Sequence, residues 1–315
     1  MHKFWSVVFG GIIFLEIMLF VVAAFIPGWW LPKQVSTFGD TADRLFYMIL
    51  WITAFFFVLT EAILVYNIWK FGDPQPGRKS PYVHGNHKLE VIWTIVPAGI
   101  LVLISVLQIG SWEEIKYVTR FPRPDPSVHQ LVVVARQWEW RIRYPSPEEL
   151  KRWDRDPKGP ENWSKLAEYP YEDYGQFDDV HDVNAVHCWM MEEKGGGRVR
   201  LALKTRDVLH SFFLPHLRLK QDAVPGKVIP VWFAVNDWNT SYDEKTKKWV
   251  DGFNPKTGQS GDHEYIWDLA CAEFCGTRHS MMKGRLYVHK DRADFIKWLE
   301  YQQKEQNARL PAAAE

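Results

Sequence analysis

The chain has 315 residues, 47% of them hydrophobic, with 38 Lys+Arg against 38 Asp+Glu. A balanced charge gives no basis for bulk binding to nucleic acid or acidic surfaces. The three cysteines, Cys188, Cys271 and Cys275, are too few for a disulfide scaffold, and without a Cys-x-x-Cys-His run there is no c-type haem attachment.

A slightly negative mean hydropathy beside so much apolar content means that greasy segments adjoin a polar domain. The 17 tryptophans suit membrane-interface belts and packing around a cofactor. Phe4 to Ile26 is apolar apart from Glu16. About 23 residues at 1.5 Å each reach roughly 34 Å, enough to cross a hydrocarbon core of about 30 Å. Met1-His-Lys resembles the start of a signal peptide, but the run is too long for one and no small-x-small cleavage site follows. A retained membrane helix is expected, with an uncleaved signal as the alternative. Leu45 to Trp69, containing Glu61, is a second span, and Val91 to Ile109, containing Pro97, a third. The short Lys70–Lys88 linker is basic and should be cytoplasmic. That places the amino terminus inside and everything after Trp112 outside. Intramembrane carboxylates are costly, so Glu16 and Glu61 read as functional or partner-facing, or as protonated packing groups.

Residues 1–111 thus form a membrane region and 112–290 an external domain, with a helix from Asp291 to about Gln306 and a loose tail in 291–315. Short β-rich runs, Gln130–Ala135, Trp138–Tyr144, Arg198–Lys204, Lys227–Val235, Tyr265–Ala270 and Arg285–His289, alternate with turn signals such as Gly195-Gly-Gly197. They predict an all-β sandwich or barrel. Polar stretches near 145–185 and 236–263 read as surface excursions. Cys188, beside His187, Trp189 and Met190, reads as a buried thiol. His216, His263 and His289 read as surface or packing histidines.

The chemistry concentrates in Cys271-Ala-Glu-Phe-Cys-Gly-Thr-Arg-His-Ser-Met-Met282. Cys-x3-Cys alone is compatible with a disulfide. A structural zinc site would more often use a second Cys pair, which is absent. His279 and Met282 at fixed spacing favour copper, because thiolate, imidazole and thioether form a soft-to-borderline donor set. Asp207-Val-Leu-His210-Ser211 offers a further imidazole between two expected strands. One ligand from an early strand and the rest from a late loop is the cupredoxin arrangement, and two thiolates can bridge two coppers.

Cys-x-Glu-x-Cys-Gly-x-x-His-x-x-Met resembles the dinuclear copper (CuA) loop of subunit II of the cytochrome c oxidases, the haem–copper terminal oxidases. Val208-Leu-His-Ser-Phe212, Leu219-Lys-Gln-Asp-Ala-Val-Pro-Gly226, Gln137-Trp-Glu-Trp140 and Leu89-Glu-Val-Ile-Trp-Thr-Ile-Val-Pro97 resemble further family segments, in order, over about residues 45–290. The three spans read from hydropathy, together with the resemblance, give a membrane-anchored all-β chain: three transmembrane helices, then the cupredoxin-like sandwich or barrel that the resemblance implies. Cys271 and Cys275 would bridge two coppers. His210 and Met282 would complete one, and His279 and the Glu273 carbonyl the other. The Glu273 side chain would face magnesium or manganese at subunit I. Trp138 would be the electron entry point and Glu90 the entrance of a proton pathway. Implied partners are subunit I, subunit III, membrane lipid and a c-type cytochrome donor. Implied localisation is a bacterial inner membrane with the copper domain periplasmic.

Glu148, Glu149, Asp178 and Asp179 could attract a basic cytochrome or form a solvated face. The chain departs from the family pattern in its extra first span and in Glu139 and Ala135-Arg136, where the family has Tyr and Gly-His. It also has a longer His210–Cys271 separation. Rival readings are a copper-less quinol oxidase subunit II and a membrane-anchored copper-delivery protein.

Overall fold

The computed structural model describes residues 2–26, 30–72, 82, 84–122, 127–155, 179–192 and 197–309. These fall into two compact units, residues 1–31 with 41–112, and residues 32–40 with 113–315.

The first unit holds α1 (His2–Ala24), α2 (Gly39–Phe71) and most of α3 (His87–Lys116), all long and apolar enough to cross a membrane. α2 and α3, at 33 and 30 residues, overrun the apolar stretches that mark them in the sequence. Hydropathy reports only the part that crosses lipid, whereas a helix continues wherever its terminal amides are satisfied. At the α3 start Asn86 Oδ1 accepts from the amides of Lys88 and Leu89, at 3.1 and 3.3 Å. α1 packs on α2 where Ser6 Oγ donates to the Val65 carbonyl at 3.1 Å, and a Cβ at Gly10 would sit 3.7 Å from Val65 Cγ1. Phe4, Trp51 and Leu101 face outward, the reverse of a water-soluble bundle, as lipid-facing surfaces require. Glu16 borders a cleft of about 690 Å³ between α1 and α2, beside Phe20, Trp30, Tyr47 and Trp51.

The second unit is a sandwich of two five-stranded sheets. The first contains β1 (Val128–Arg136), β2 (Glu139–Tyr144), β3 (Val180–Val183), β5 (Arg198–Thr205) and β8 (Ile229–Ala234), in the order β3-β2-β1-β5-β8. The second contains β4 (Ala185–Trp189), β6 (His210–Leu214), β7 (Leu219–Ala223), β11 (Trp267–Cys271) and β12 (Lys283–His289), in the order β4-β12-β11-β6-β7. β1 pairs parallel with β5 and β4 with β12; the other pairings are antiparallel. Both faces of β1 are covered, which is why Leu131-Val-Val-Val134 is an unbroken apolar run rather than an alternating one. Trp140, Trp189, Trp267, Phe212 and Phe233 fill the core.

Both stretches expected as surface excursions are partly structural. The 145–185 stretch begins in α4 (Pro147–Arg155) and ends in β3, which pairs with β2; residues 156–178 lie outside the described residues, as does 310–315 of the expected tail. The 236–263 stretch carries a hairpin of β9 (Ser241–Asp243) and β10 (Lys248–Val250) on a buried root. There Asn239 Nδ2 donates to the carbonyls of Tyr265 and Leu286, both at 2.9 Å, and its Oδ1 accepts from the Val288 amide at 2.7 Å.

The carboxy-terminal helix α5 (Arg292–Arg309) is fastened to the second sheet by histidines. His289 Nδ1 faces Asp294 Oδ2 at 2.9 Å and His289 Nε2 meets His187 Nδ1 at 3.0 Å. The His187 ring lies between those of Tyr287 and Trp298. His216 and His289 are both buried, so their role is packing rather than surface. Cys188 is fully buried, and burial pushes its thiol far up.

Burial holds His129 at about 3, and His181 and His216 at about 4, against 6.5 for a free imidazole. Each takes a proton more readily in the unfolded chain, so its contribution is complete above pH 6.5 and is lost as pH falls toward 4. Asp182, raised by burial to about 7, works the opposite way: its contribution is lost as pH rises through that value. The imidazoles outnumber it, so the urea-unfolding midpoint should fall between pH 6.5 and 4. His129→Phe, which puts an untitratable ring among Trp189 and Phe295, should flatten that slope. An unchanged slope in a pH series of the variant contradicts this account.

Candidate metal centre

One end of the sandwich gathers the β1–β2 turn (137–138), the β5–β6 connection (206–209) and the β11–β12 loop (272–282). His210 opens β6 and Cys271 closes β11, and these strands pair at Cys271↔Phe212, so ladder register sets the first two donors side by side. The loop then closes on itself. The Cys271 amide donates to the Met282 carbonyl at 3.1 Å, and the Ala272 amide to the Ser211 carbonyl at 3.0 Å.

The donors converge. Cys271 Sγ and Cys275 Sγ are 3.8 Å apart, Cys271 Sγ is 3.8 Å from His210 Nδ1, and Cys275 Sγ is 3.5 Å from His279 Nδ1 and 3.8 Å from Met282 Sδ. The Glu273 carbonyl lies 3.2 Å from Cys271 Sγ, while its side chain is exposed. His210, Cys271 and Cys275 satisfy on their own the mutual distances of a metal-holding group. The two thiols are not joined, which removes the disulfide reading. Their gap is nearly twice an S–S bond of about 2.05 Å, yet one ion about 2.3 Å from each sulfur can touch both. This soft donor set fits copper: two sulfurs flanked by imidazoles, a thioether and a carbonyl.

Burial favours a neutral Cys271, but hydrogen bonds from His210 and neighbouring groups outweigh it and bring the thiol down to about 6. Burial and the charge on Cys271 then push Cys275 up to about 12. The pair sheds one proton easily and holds the second until a cation replaces it. Burial also disfavours charge on His210, but Cys271 and Asp207 reverse this and raise it above the ordinary imidazole value.

Trp138 was expected within a strand and instead sits in the two-residue turn between β1 and β2, half-buried. A strand would point its side chain across the sheet; the turn frees the indole to reach the metal loop. Trp138 Nε1 donates to the Cys275 carbonyl at 3.2 Å and Gln137 Nε2 to the same oxygen at 2.7 Å. The Arg278 guanidinium stands 5.7 Å from the indole. Glu139, the departure from the family pattern, is held by Arg136 and Arg141 at 2.6 and 2.5 Å.

Among the acidic residues named as a docking face, Asp179 is buried against Arg143 at 3.3 Å and cannot serve. Asp178 lies outside the described residues, and Glu148 pairs with Lys151 at 3.1 Å. Glu90 belongs to the helical unit, in the first turn of α3, with His87 Nδ1 3.6 Å from its carboxylate. Two residues were quoted within sequence motifs but given no role: Gln137 and Asp207. Asp207 Oδ1 lies 2.8 Å from His210 Nε2, and its Oδ2 accepts from the Gln137 amide at 2.7 Å. The available signal was an acid three residues before a ligand histidine.

Fold and site together define a membrane-anchored, cupredoxin-like protein with a cluster of soft-metal donors at one end of its sandwich. A family model described as cytochrome c oxidase subunit II, transmembrane domain, matches residues 28–109, and one described as its periplasmic domain matches 171–247. The chain is 28% identical over 280 residues to an alternative cytochrome c oxidase subunit 2 of Bradyrhizobium diazoefficiens, covering 88% of this chain and 85% of that one. It is 25% identical over 291 residues to a cytochrome c oxidase subunit 2 of Cereibacter sphaeroides, covering 85% and 81%. A crystal structure of the periplasmic domain of cytochrome oxidase subunit II from Bradyrhizobium japonicum aligns with 17% identity and a TM-score of 0.36, covering 58% and 97%. The chain belongs to the cytochrome c oxidase subunit II family and is thus an oxidase subunit that partners subunit I. α1 and the 271–282 loop fall outside the two matched segments, so the donors on that loop are known here from their own geometry.

Gly276 has φ +116°, and a Cβ there would meet Gln137 Nε2 at 2.9 Å and the Trp138 ring at 3.3 Å. Gly276→Ala should destabilise the fold by about 1–3 kcal/mol through left-handed strain. It should also shift Trp138 emission as the indole is pushed off the Cys275 carbonyl. Unchanged stability and emission contradict the close approach.

Proposed function

We propose that this subunit accepts electrons from a c-type cytochrome at a dinuclear copper centre. It passes them to subunit I, where dioxygen is reduced to water with proton translocation. The observation that carries the reading is the convergence of two unjoined sulfurs, 3.8 Å apart, with two imidazoles, a thioether and a backbone carbonyl. Copper held there supplies a one-electron centre with its charge shared between two metals.

The chain's own part is to hold the donors still. His210, Cys271 and Met282 are buried at or beside the ends of paired strands, and Cys275, buried in the loop between, is held through its carbonyl by Gln137 and Trp138, so none of the four rides on a free loop. Rigid donors keep reorganisation small when charge arrives, which is what a relay needs. Trp138 is the entry point: its indole binds the carbonyl of Cys275 and is half-exposed. The exposed Glu273 carboxylate is a hard oxygen donor suited to magnesium or manganese at the subunit I boundary. Glu90 marks the proton entrance, and the basic 70–88 linker supports a cytoplasmic amino terminus with the sandwich in the periplasm of a bacterial inner membrane. Subunit III completes the proposed partners.

A quinol-oxidase relative would lack this donor set, and a delivery protein would need a single Cu(I). Purified oxidase should contain two coppers per copy of this chain and show mixed-valence absorption. Cys275→Ser should abolish that absorption, whereas Glu90→Ala should slow proton uptake and leave it intact. One colourless copper per chain, or an altered spectrum in Glu90→Ala, contradicts the assignment.

A further inference from the structure

We infer that Asp207 is a positioning residue that locks the imidazole of His210 to the turn carrying Trp138, so that one carboxylate fixes both the metal-facing ring and the electron entry point. The inference rests on the copper reading of the site. Asp207 is an exposed residue on the β5–β6 connection whose carboxylate nevertheless takes three short contacts from donors on different parts of the site. Oδ1 receives the Val208 amide at 2.7 Å and faces His210 Nε2 at 2.8 Å; Oδ2 receives the Gln137 amide at 2.7 Å. An ionised carboxylate only accepts, so Nε2 carries a proton, and Nδ1, the nitrogen that faces Cys271 Sγ, is the one left to hold a metal.

The far oxygen makes the residue more than a histidine partner. The Gln137 amide that it holds belongs to the turn whose side chains, Gln137 and Trp138, both donate to the Cys275 carbonyl. Contacts therefore close into a ring: Asp207, Gln137, Cys275, Cys271, His210 and back to Asp207. The Trp138 turn is thus tied to His210 through Asp207 and, by a separate link, to the Cys275 carbonyl through Gln137 and Trp138. Local turn stability alone does not call for this arrangement, because Thr205 Oγ1 already donates to the Val208 carbonyl at 2.8 Å. Asparagine cannot replace the aspartate, since its single acceptor oxygen cannot serve His210 and Gln137 at once, and its amide would face an N–H.

The test uses the assembled oxidase, comparing wild type with Asp207→Asn, Gln137→Leu and Asp268→Asn. The last removes an exposed acid outside the ring. Readouts are the nitrogen hyperfine coupling of the copper-bound imidazole and electron injection from photoexcited tris-bipyridyl ruthenium over a concentration series. Asp207→Asn is expected to change the hyperfine coupling and slow injection at saturating donor about 10-fold or more, the scale seen when partners of metal-bound histidines are removed. Gln137→Leu, cutting the ring at its other link, should slow saturated injection while leaving the hyperfine coupling as in wild type. Asp268→Asn should change neither. Unaltered hyperfine coupling in Asp207→Asn overturns the proposal, as does a change confined to the half-saturating donor concentration, which would make Asp207 a surface charge. A wild-type enzyme lacking the dinuclear signal fails the copper reading itself, a result distinct from either.

Discussion

The constraint on which the site depends is the fixed gap between the sulfurs of Cys271 and Cys275, too wide for a bond and narrow enough for one ion to touch both. The gap does not come from the loop alone. Cys271 is tied to β6 through the sheet ladder, and Cys275 is tied through its carbonyl to the Gln137–Trp138 turn. Gly276 is required because its left-handed backbone leaves room for that turn to close on the loop. A strand end on one side and a turn on the other set the distance.

The electrostatics follow from the same geometry. With one sulfur easily ionised and the other resisting, the pair favours a single negative charge, which draws the proton affinity of the His210 imidazole beside it upward. That is an affordable state for a buried cluster, and a soft cation finds a prepared thiolate. The distant end of the sandwich is built on a different economy of protons, with His187, His289 and Asp294 sharing them to hold α5. Both ends show buried polar groups made tolerable by partners of matching donor and acceptor character.

Much of this was legible in the sequence because the signals are local. Bilayer thickness fixes the length of the apolar runs, and the copper donors sit within a dozen residues plus one histidine. What was missed depends on distant partners. β3 and β4 hide at the end of a polar stretch because Asp182 and His187 look like surface residues until β12 and α5 cover them, although Cys188 beside them was legible as a buried thiol. The strand position assigned to Trp138 failed because a tight turn and a strand end share one composition. Asp207 could be seen but not assigned, since its second oxygen is spoken for by Gln137, 70 residues away.

The most direct test of the shared-sulfur cluster is electron paramagnetic resonance of the oxidised, purified oxidase, read at the copper of this chain. The account requires a hyperfine pattern from one unpaired electron spread equally over two copper nuclei. A pattern from a single copper nucleus, or a copper-free chain whose Cys271 and Cys275 are joined, would contradict it.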